Sequence, residues 1–348
     1  DPGVKVACLI AFRNEAHNLP HFMRQVRPYV DAVIGFDHGS TDDSADIFVD
    51  SGGVLCTTEV LQDWSSGGEW EIRSALLARG REAGGTHFLT LDADEVISSN
   101  CSPDYLRGEL GYLAPGQALS MSWVQLWGDT SHYAKQSRIW RPQPKPIGFM
   151  DARGARFPWA PMHVPRVAVL PHSPPSRSIP LDQGVLLHTQ FAFPKKAEIK
   201  HAWYRMVEWE SSAPTQRTFR RAMKINLRYE IGRQEIKRTP GDRCPPEWIH
   251  GLTFPVDGEP NEDWRLEECH RLLEQYGFNF FRWIDFGSVD TARRGTPPQP
   301  LWRRLAFGVV AQTARLQASA LGQLLLTTRM HARRWRNVSP AAPQHNGA

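Results

Sequence analysis

Residues 4–12 (VKVACLIAF) form an almost unbroken apolar run of strand-forming side chains, the pattern of a strand covered on both faces. The period then changes. Leu19, Phe22, Met23 and Val26 recur at helical spacing and predict a helix over 19–30, followed by a short strand at 32–36 (AVIGF). Ser40 or Thr41 is placed to cap a helix over 42–50, whose acidic first turn suits the helix dipole. Residues 54–60 read as a third strand, 69–83 as a third helix, 86–91 (THFLTL) as a fourth strand and 118–127 as another. Strands alternating with crossovers of this length predict a doubly wound α/β sheet.

Beyond residue 130 the pattern breaks down. Ten prolines fall between 141 and 180, which predicts an irregular segment laid over the sheet edge, free of long helices and central strands. Helical periodicity returns over 195–237, broken near Pro214, again over 262–276, and in a final helix over 301–336. The expected division is therefore 1–130 as the α/β half, 131–200 as an irregular region completing the site, 201–300 as a helical region and 301–348 as a basic helix and tail.

A hydrophobic content of 41% with 22% charged residues is too apolar for a disordered chain. Five cysteines with no CxxC pair argue against a zinc site or a disulfide scaffold and favour a reducing compartment. The chain opens Asp1-Pro2 with no signal-like segment, so a trimmed or processed N-terminus is expected. The net charge of +4 is uneven: no acid follows Asp290, and nine arginines between 293 and 336 make the tail +9, leaving −5 for the first 290 residues.

Ligands on doubly wound sheets bind beyond the carboxyl ends of the strands. Three polar clusters fall at such ends: Arg13-Asn14-Glu15, then Asp37, then Asp92-Ala93-Asp94-Glu95. Asp92 and Asp94, flanking one small residue, offer hard oxygen ligands suited to Mg2+ or Mn2+, which bridge to phosphates and stabilise a leaving diphosphate.

These residues resemble family 2 glycosyltransferases of the GT-A fold, a Rossmann-like, doubly wound mixed sheet, and in particular the branch that includes lipopolysaccharide-core glucosyltransferases. The signatures are Arg13-Asn14-Glu15, Asp37-His38-Gly39-Ser40-Thr41-Asp42 and Leu91-Asp92-Ala93-Asp94-Glu95, in that order over residues 4–100. The resemblance implies a nucleotide-sugar donor held by the loop of Phe12, Arg13 and Glu15, by Asp37, by Arg73 near the diphosphate and by Asp92 and Ala93. It implies a metal ion, Mn2+ or Mg2+, on Asp94 and Asp92, and transfer to a glycan or lipid-linked acceptor with inversion, as in polysaccharide biosynthesis. A thinner match continues through Lys135-Gln136-Ser137-Arg138-Ile139-Trp140-Arg141, then His163-Val164, then Leu187-His188 followed by Lys195, Lys196 and Tyr204. Val164 stands where that family has a glutamate.

Direct displacement needs a base within hydrogen-bond reach of the acceptor hydroxyl, and His163, Asp129 and Asp182 are the candidates, in that order. His188, closing the apolar run 185–187, is a candidate third metal ligand. Trp123, Trp127, Trp140 and Trp159 offer faces that can stack on sugar rings.

Two other functions compete. Residues 88–96 also satisfy the strand-DxDx[TV] pattern of haloacid-dehalogenase-like phosphatases, in which one Asp is nucleophile and the other acid/base. That motif belongs on a first strand with a later paired-acid run, and this chain has it on the fourth with none following. A non-catalytic sugar- or partner-binding domain is the other, motivated by Val164. The basic tail lacks a nucleic-acid motif, so no nucleic acid is expected. Residues 301–336 are expected either to pack on the protein through Leu305, Val309, Ala311, Leu316, Leu321 and Leu325, or to lie on an anionic membrane surface. The expected location is cytoplasmic, peripheral at the inner membrane face.

Overall fold

The structure, a computed structural model, describes residues 3–57, 68–137, 139–159, 164–254, 263–287 and 301–318. They fall into two units, one drawn from 1–200 with 239–268 and the other from 201–238 with 269–348.

The first unit is built on one mixed sheet. Its strands are β1 (Val6–Phe12), β2 (Ala32–Asp37), β3 (Val54–Thr57), β4 (His87–Thr90), β5 (Glu95–Ile97), β6 (Ala118–Gln125), β8 (Gln143–Met150), β9 (Arg177–Ser178) and β10 (Val185–His188), while β7 (His132–Tyr133) pairs separately with β11 (Asp242–Arg243). The order is β3-β2-β1-β4-β8-β6-β10-β5, with β9 against β6. Strands β1 to β4 are parallel, β8 is antiparallel to both β4 and β6, β10 is parallel to β6, and β5 is antiparallel to β10. The α/β sheet read from the periodicity is thus observed.

The continuous apolar run of β1 is explained by burial on both faces. Alternate side chains point to opposite sides of a strand. Val6, Cys8, Ile10 and Phe12 join one apolar cluster with Leu19, Phe22, Met23 and Val26 of α1 (Leu19–Val26), Phe48 of α2 (Ser44–Asp50) and Leu106 and Leu110 of α4 (Pro103–Gly111). Ala7 and Leu9 join the other with Ile72, Leu76 and Leu77 of α3 (Glu69–Glu82) and with Phe88 and Phe149. Each large apolar side chain buried there contributes about 1.5–3 kcal/mol relative to exposure.

Two local expectations are corrected. The helix after β2 starts at Ser44 with Asp43 at the cap position and no side-chain cap bond, because Ser40 and Thr41 are engaged elsewhere; Asp42 instead accepts from the Ser44 amide at 3.1 Å. The proline-rich segment is not wholly irregular, since β8 runs through Pro144 and Pro146 in the interior of the sheet order. The pairing explains how. Contact with β4 covers only Gly148, Phe149 and Met150, so residues 143–146 have β6 on one side and no β4 partner on the other. That half behaves as an edge strand, where a missing N–H is tolerated.

In the second unit, α6 (Phe219–Arg238) and α9 (Leu301–Ala318) pack together, and the unit also takes in the ends of α5 (Pro194–Glu210) and α8 (Trp264–Phe280). The Asn226 side chain ties α6 to the segment after α8, donating to the Trp283 carbonyl at 2.8 Å and accepting from the Asp285 amide at 2.9 Å. Helix α9 buries Val310 and Ala314, while Leu305 and Val309 are 61% and 67% exposed, so its packing face is not the one expected. Leu321 and Leu325 lie outside the described residues. A short helix α7 (Pro246–Ile249) belongs to the first unit. Among the described residues no helix is long and apolar enough to cross a membrane.

Candidate active site

Strand direction decides which residues meet. Because β8 reverses between β4 and β6, strands β1, β2, β4, β6 and β10 all end on one edge. The register there pairs His188 with Gln125 on one side and with Glu95 on the other. The turn Asp92–Glu95, Gln125 and His188 therefore share one small region, although they lie far apart in sequence.

That turn sends its acids into two surroundings. On one side the Arg166 guanidinium donates to both Asp92 Oδ2 and Glu95 Oε2. Glu95, whose side chain is wholly removed from solvent, also accepts from Trp123 Nε1 at 2.8 Å and lies 3.8 Å from Lys145 Nζ, which sits 3.4 Å above the Trp123 ring centroid. On the other side Asp94 Oδ2 meets His188 Nε2 at 3.2 Å and Lys200 Nζ at 3.5 Å, and the Asp94 carbonyl accepts from the Thr189 amide at 2.9 Å. His188 stacks on Trp123 with centroids 4.8 Å apart, and its Nδ1 is 2.7 Å from Gln125 Oε1.

The charges respond accordingly. Burial disfavours ionised Asp94, yet His188 and Lys200 hold its carboxyl well below the usual range. Asp92 is lowered against the same burial penalty, chiefly by Arg166. Burial, then the Arg166 charge, push the Lys145 ammonium down to about 8. Burial raises Glu15.

The loops after β1 and β2 are tied to each other. Asn14, at φ 52° in the left-handed region, accepts from the Thr41 amide at 2.7 Å, its own amide donates to Ser40 Oγ at 2.9 Å, and the Glu15 amide donates to Ser44 Oγ at 2.8 Å. Asn is among the few residues that tolerate that conformation. Asp37 is buried and accepts from the Ser40 amide and hydroxyl, and Phe12 packs on Phe48 at 5.1 Å. Arg13 lies over the Trp264 ring at 4.9 Å, and Glu15 pairs with Arg265 at 3.5 Å. Beside Asp94 opens a cavity of about 300 Å3, lined among others by Asn14, Glu15, Thr41, Lys200, Trp264 and Arg265.

The remaining expected residues lie as follows. Arg73 pairs with Glu69 at 3.1 Å, and its charge reaches Asp92. Ala93 is buried in the apolar cluster beneath the turn. Asp129 closes its own turn, accepting from the Ser131 and His132 amides and pairing with His132 at 2.8 Å. Asp182 is exposed just ahead of β10, at the end of that strand opposite His188. His163 lies outside the described residues, as does Arg138. Val164 is buried among apolar side chains including Phe157, and its amide donates to Glu69 Oε2 at 3.1 Å. Trp127 donates to the Thr239 carbonyl, Trp140 packs on Phe191, and Trp159 is exposed.

Four residues of this edge had escaped the motifs: Gln125, Lys145, Arg166 and Lys200. Gln125 carried a usable signal, a polar side chain closing an apolar strand, as His188 does. Arg166 and Lys145 lie in the proline-rich stretch with no periodicity to place them.

For a divalent ion, Asp94 and His188 supply one oxygen and one nitrogen donor facing each other. Among the described residues no group of three or more His, Cys, Asp or Glu side chains could hold a metal ion. Two such donors would leave most coordination positions of an ion to water or phosphate oxygens, an arrangement that Mg2+ and Mn2+ accept.

No protein-family model matches the sequence, and no curated protein does. Among solved structures the chain is similar to glucosyl-3-phosphoglycerate synthase from Mycobacterium tuberculosis. In its complex with Mn2+, UDP and glucosyl-3-phosphoglycerate, the TM-score is 0.26 at 22% identity over 35% of this chain and 44% of that one. In its complex with Mn2+ and UDP-glucose the TM-score is 0.27 at 20% identity over the same shares. The chain thus spans less than half the length of the synthase, 44% in both complexes. A likeness of that extent carries no assignment of function.

Proposed function

We propose that the chain is a metal-dependent glycosyltransferase of the GT-A type, moving a sugar from a nucleotide-sugar donor to a glycan or lipid-linked acceptor, with inversion at the anomeric carbon. The observation that carries this is the meeting of Asp94 and His188 at 3.2 Å on the carboxyl edge of the sheet, beside a cavity. The motifs around Arg13, Asp37 and Asp92 agree with it in order and spacing.

Asp94 and His188 would hold Mn2+ or Mg2+, while Asp92, the other carboxylate expected to bind it, is engaged by Arg166 on the other side of the turn. When bound, the ion supplies positive charge to the departing diphosphate. Arg166, Lys145 and Arg73 gather around Asp92 and offer further positive charge on that side. The Asn14 and Thr41 loops present polar groups to the cavity, where a base and ribose can be recognised. Trp123 fixes the His188 ring by stacking and is thereby an unsuitable platform for sugar. His163 remains our choice of base, since Asp129 is taken up by its own turn and Asp182 lies at the far end of β10. The exposed Leu305 and Val309 of α9, with the nine arginines of the basic tail, favour an anionic membrane surface as the second partner.

Release of nucleoside diphosphate from a panel of sugar donors, with Mn2+ and candidate acceptors, tests the activity. Turnover that needs the ion is expected. Phosphate release from simple monoesters without any donor turnover would overturn it. A sugar-binding domain is the second reading, favoured by the burial of Val164 in an apolar cluster, and donor binding without turnover would select it. Flotation with anionic liposomes, unchanged after deletion of 301–348, would remove the membrane partner.

A further inference from the structure

We propose that Gln125 is a positioning residue that fixes the tautomer of His188, so that the Nε2 electron pair is presented to a divalent cation at Asp94. This deepens the metal reading above and rests on it for the cation.

The two side chains are register partners on neighbouring parallel strands, and both are buried, with exposures of 1% and 4%. Gln125 Oε1 lies 2.7 Å from His188 Nδ1. An amide oxygen can only accept, so Nδ1 carries a proton, and in the neutral ring the electron pair therefore lies on Nε2. Nε2 is turned to Asp94 Oδ2 at 3.2 Å, where the neutral ring and the carboxylate present two electron-pair donors to a shared proton or cation, with Lys200 Nζ 3.5 Å from the same oxygen. The plane of the ring is fixed by Trp123, which stacks on it and is itself held by Glu95.

Gln125 Nε2 points the same way. It is buried and has no hydrogen-bond partner among the described residues. An unpartnered buried donor destabilises by about 1–3 kcal/mol, which a Met of similar length would avoid. An amide at this position is therefore explained by what its oxygen does to His188, not by packing. Metal-bound imidazoles generally donate their second N–H to an oxygen in this way, which fixes the ring and raises its basicity.

The test uses the full chain labelled with 15N-histidine, with His188 assigned by comparison with His188→Gln. In the metal-free wild type, imidazole nitrogen shifts are expected to show the proton on Nδ1. Gln125→Met should shift the population towards the other tautomer and weaken Mn2+ binding, followed by the electron paramagnetic resonance of free Mn2+, by about 10–100-fold. Gln125→Glu keeps the acceptor and should keep both the tautomer and the affinity within a few-fold. Urea unfolding should find Gln125→Met still cooperatively folded and within about 1–3 kcal/mol of wild type, since it removes one unpartnered donor and leaves His188 Nδ1 without its acceptor, which separates a positioning loss from a folding loss. The proposal is overturned by a proton on Nε2 in the wild type, or by unchanged tautomer and affinity in Gln125→Met. If the wild type shows the expected tautomer and binds no Mn2+, the metal reading fails while the control of His188 by Gln125 stands.

Discussion

Arg166 and Glu95 form an ion pair nearly sealed from water: the Glu95 side chain has no exposure and that of Arg166 has 10%. Removing one partner of such a pair strands the other charge, so Arg166→Met is expected to destabilise by about 3–5 kcal/mol. Adding Glu95→Gln should recover part of that loss, because neighbours in one network are coupled. Urea unfolding of the two single variants and the double variant measures it. A loss no larger than that of Arg79→Met, whose pair with Glu82 is exposed, would refute the role given to Arg166.

Lys145 adds a pH dependence of unusual sign. Its folded value is about 8 against 10.5 in the unfolded chain, lowered first by burial and then by Arg166. Between these values the unfolded chain binds more protons at this site, so the contribution to stability rises with pH; below about 8 the penalty is present in full. The stability of wild type relative to Lys145→Met should therefore increase by about 2 kcal/mol from pH 7 to pH 10. Urea midpoints at the two pH values decide it, and a flat difference would show that Lys145 titrates normally.

Gly148 marks where β8 presses against β4. A Cβ there would meet Leu89 Cδ2 and the Phe88 carbonyl oxygen at 3.0 Å, and Leu110 Cδ2 at 3.1 Å. Gly148→Ala should destabilise by about 1–3 kcal/mol through overpacking. Thermal unfolding checks it, and an unchanged midpoint would mean that β4 and β8 are less closely packed.

Asp94→Asn keeps shape and removes charge. In the proposed transferase it should lower donor turnover by about a hundredfold or more, as should chelation of the divalent ion in the wild type. Arg79→Ala, on an exposed stretch of α3, should leave turnover as it was. Kinetics in Mn2+ and in chelator distinguish these outcomes, and an active Asp94→Asn would dissociate the reaction from this edge.

Much of the first unit was legible because β1, α1 and β2 each carry a period that local physics enforces. Strand β8 was not, since its prolines forbid a central strand unless half of it lacks a neighbour, and that depends on β4 ending at Thr90. The caps at Ser40 and Thr41 failed for a similar reason: both groups are drawn to Asn14, a partner more than 25 positions earlier. In the candidate site, Asp94 and His188 were identifiable from strand ends. The Arg166 link to Asp92 was not, because it spans 74 positions and answers to no spacing. Trp123 was singled out for a sugar contact, and what the structure shows is its ring stacked on an imidazole.

Strand β5 has one ladder partner among the described residues, β10, which begins at Val185. On a translating ribosome, with synthesis at about 5–20 residues per second, Glu95 would wait roughly 5–20 seconds for that partner. Until then an acid destined for complete burial stays hydrated, and Arg166 emerges within the same interval. The carboxylate edge is consequently a late product of chain elongation, completed only after the parallel strands β1 to β4 are available to one another.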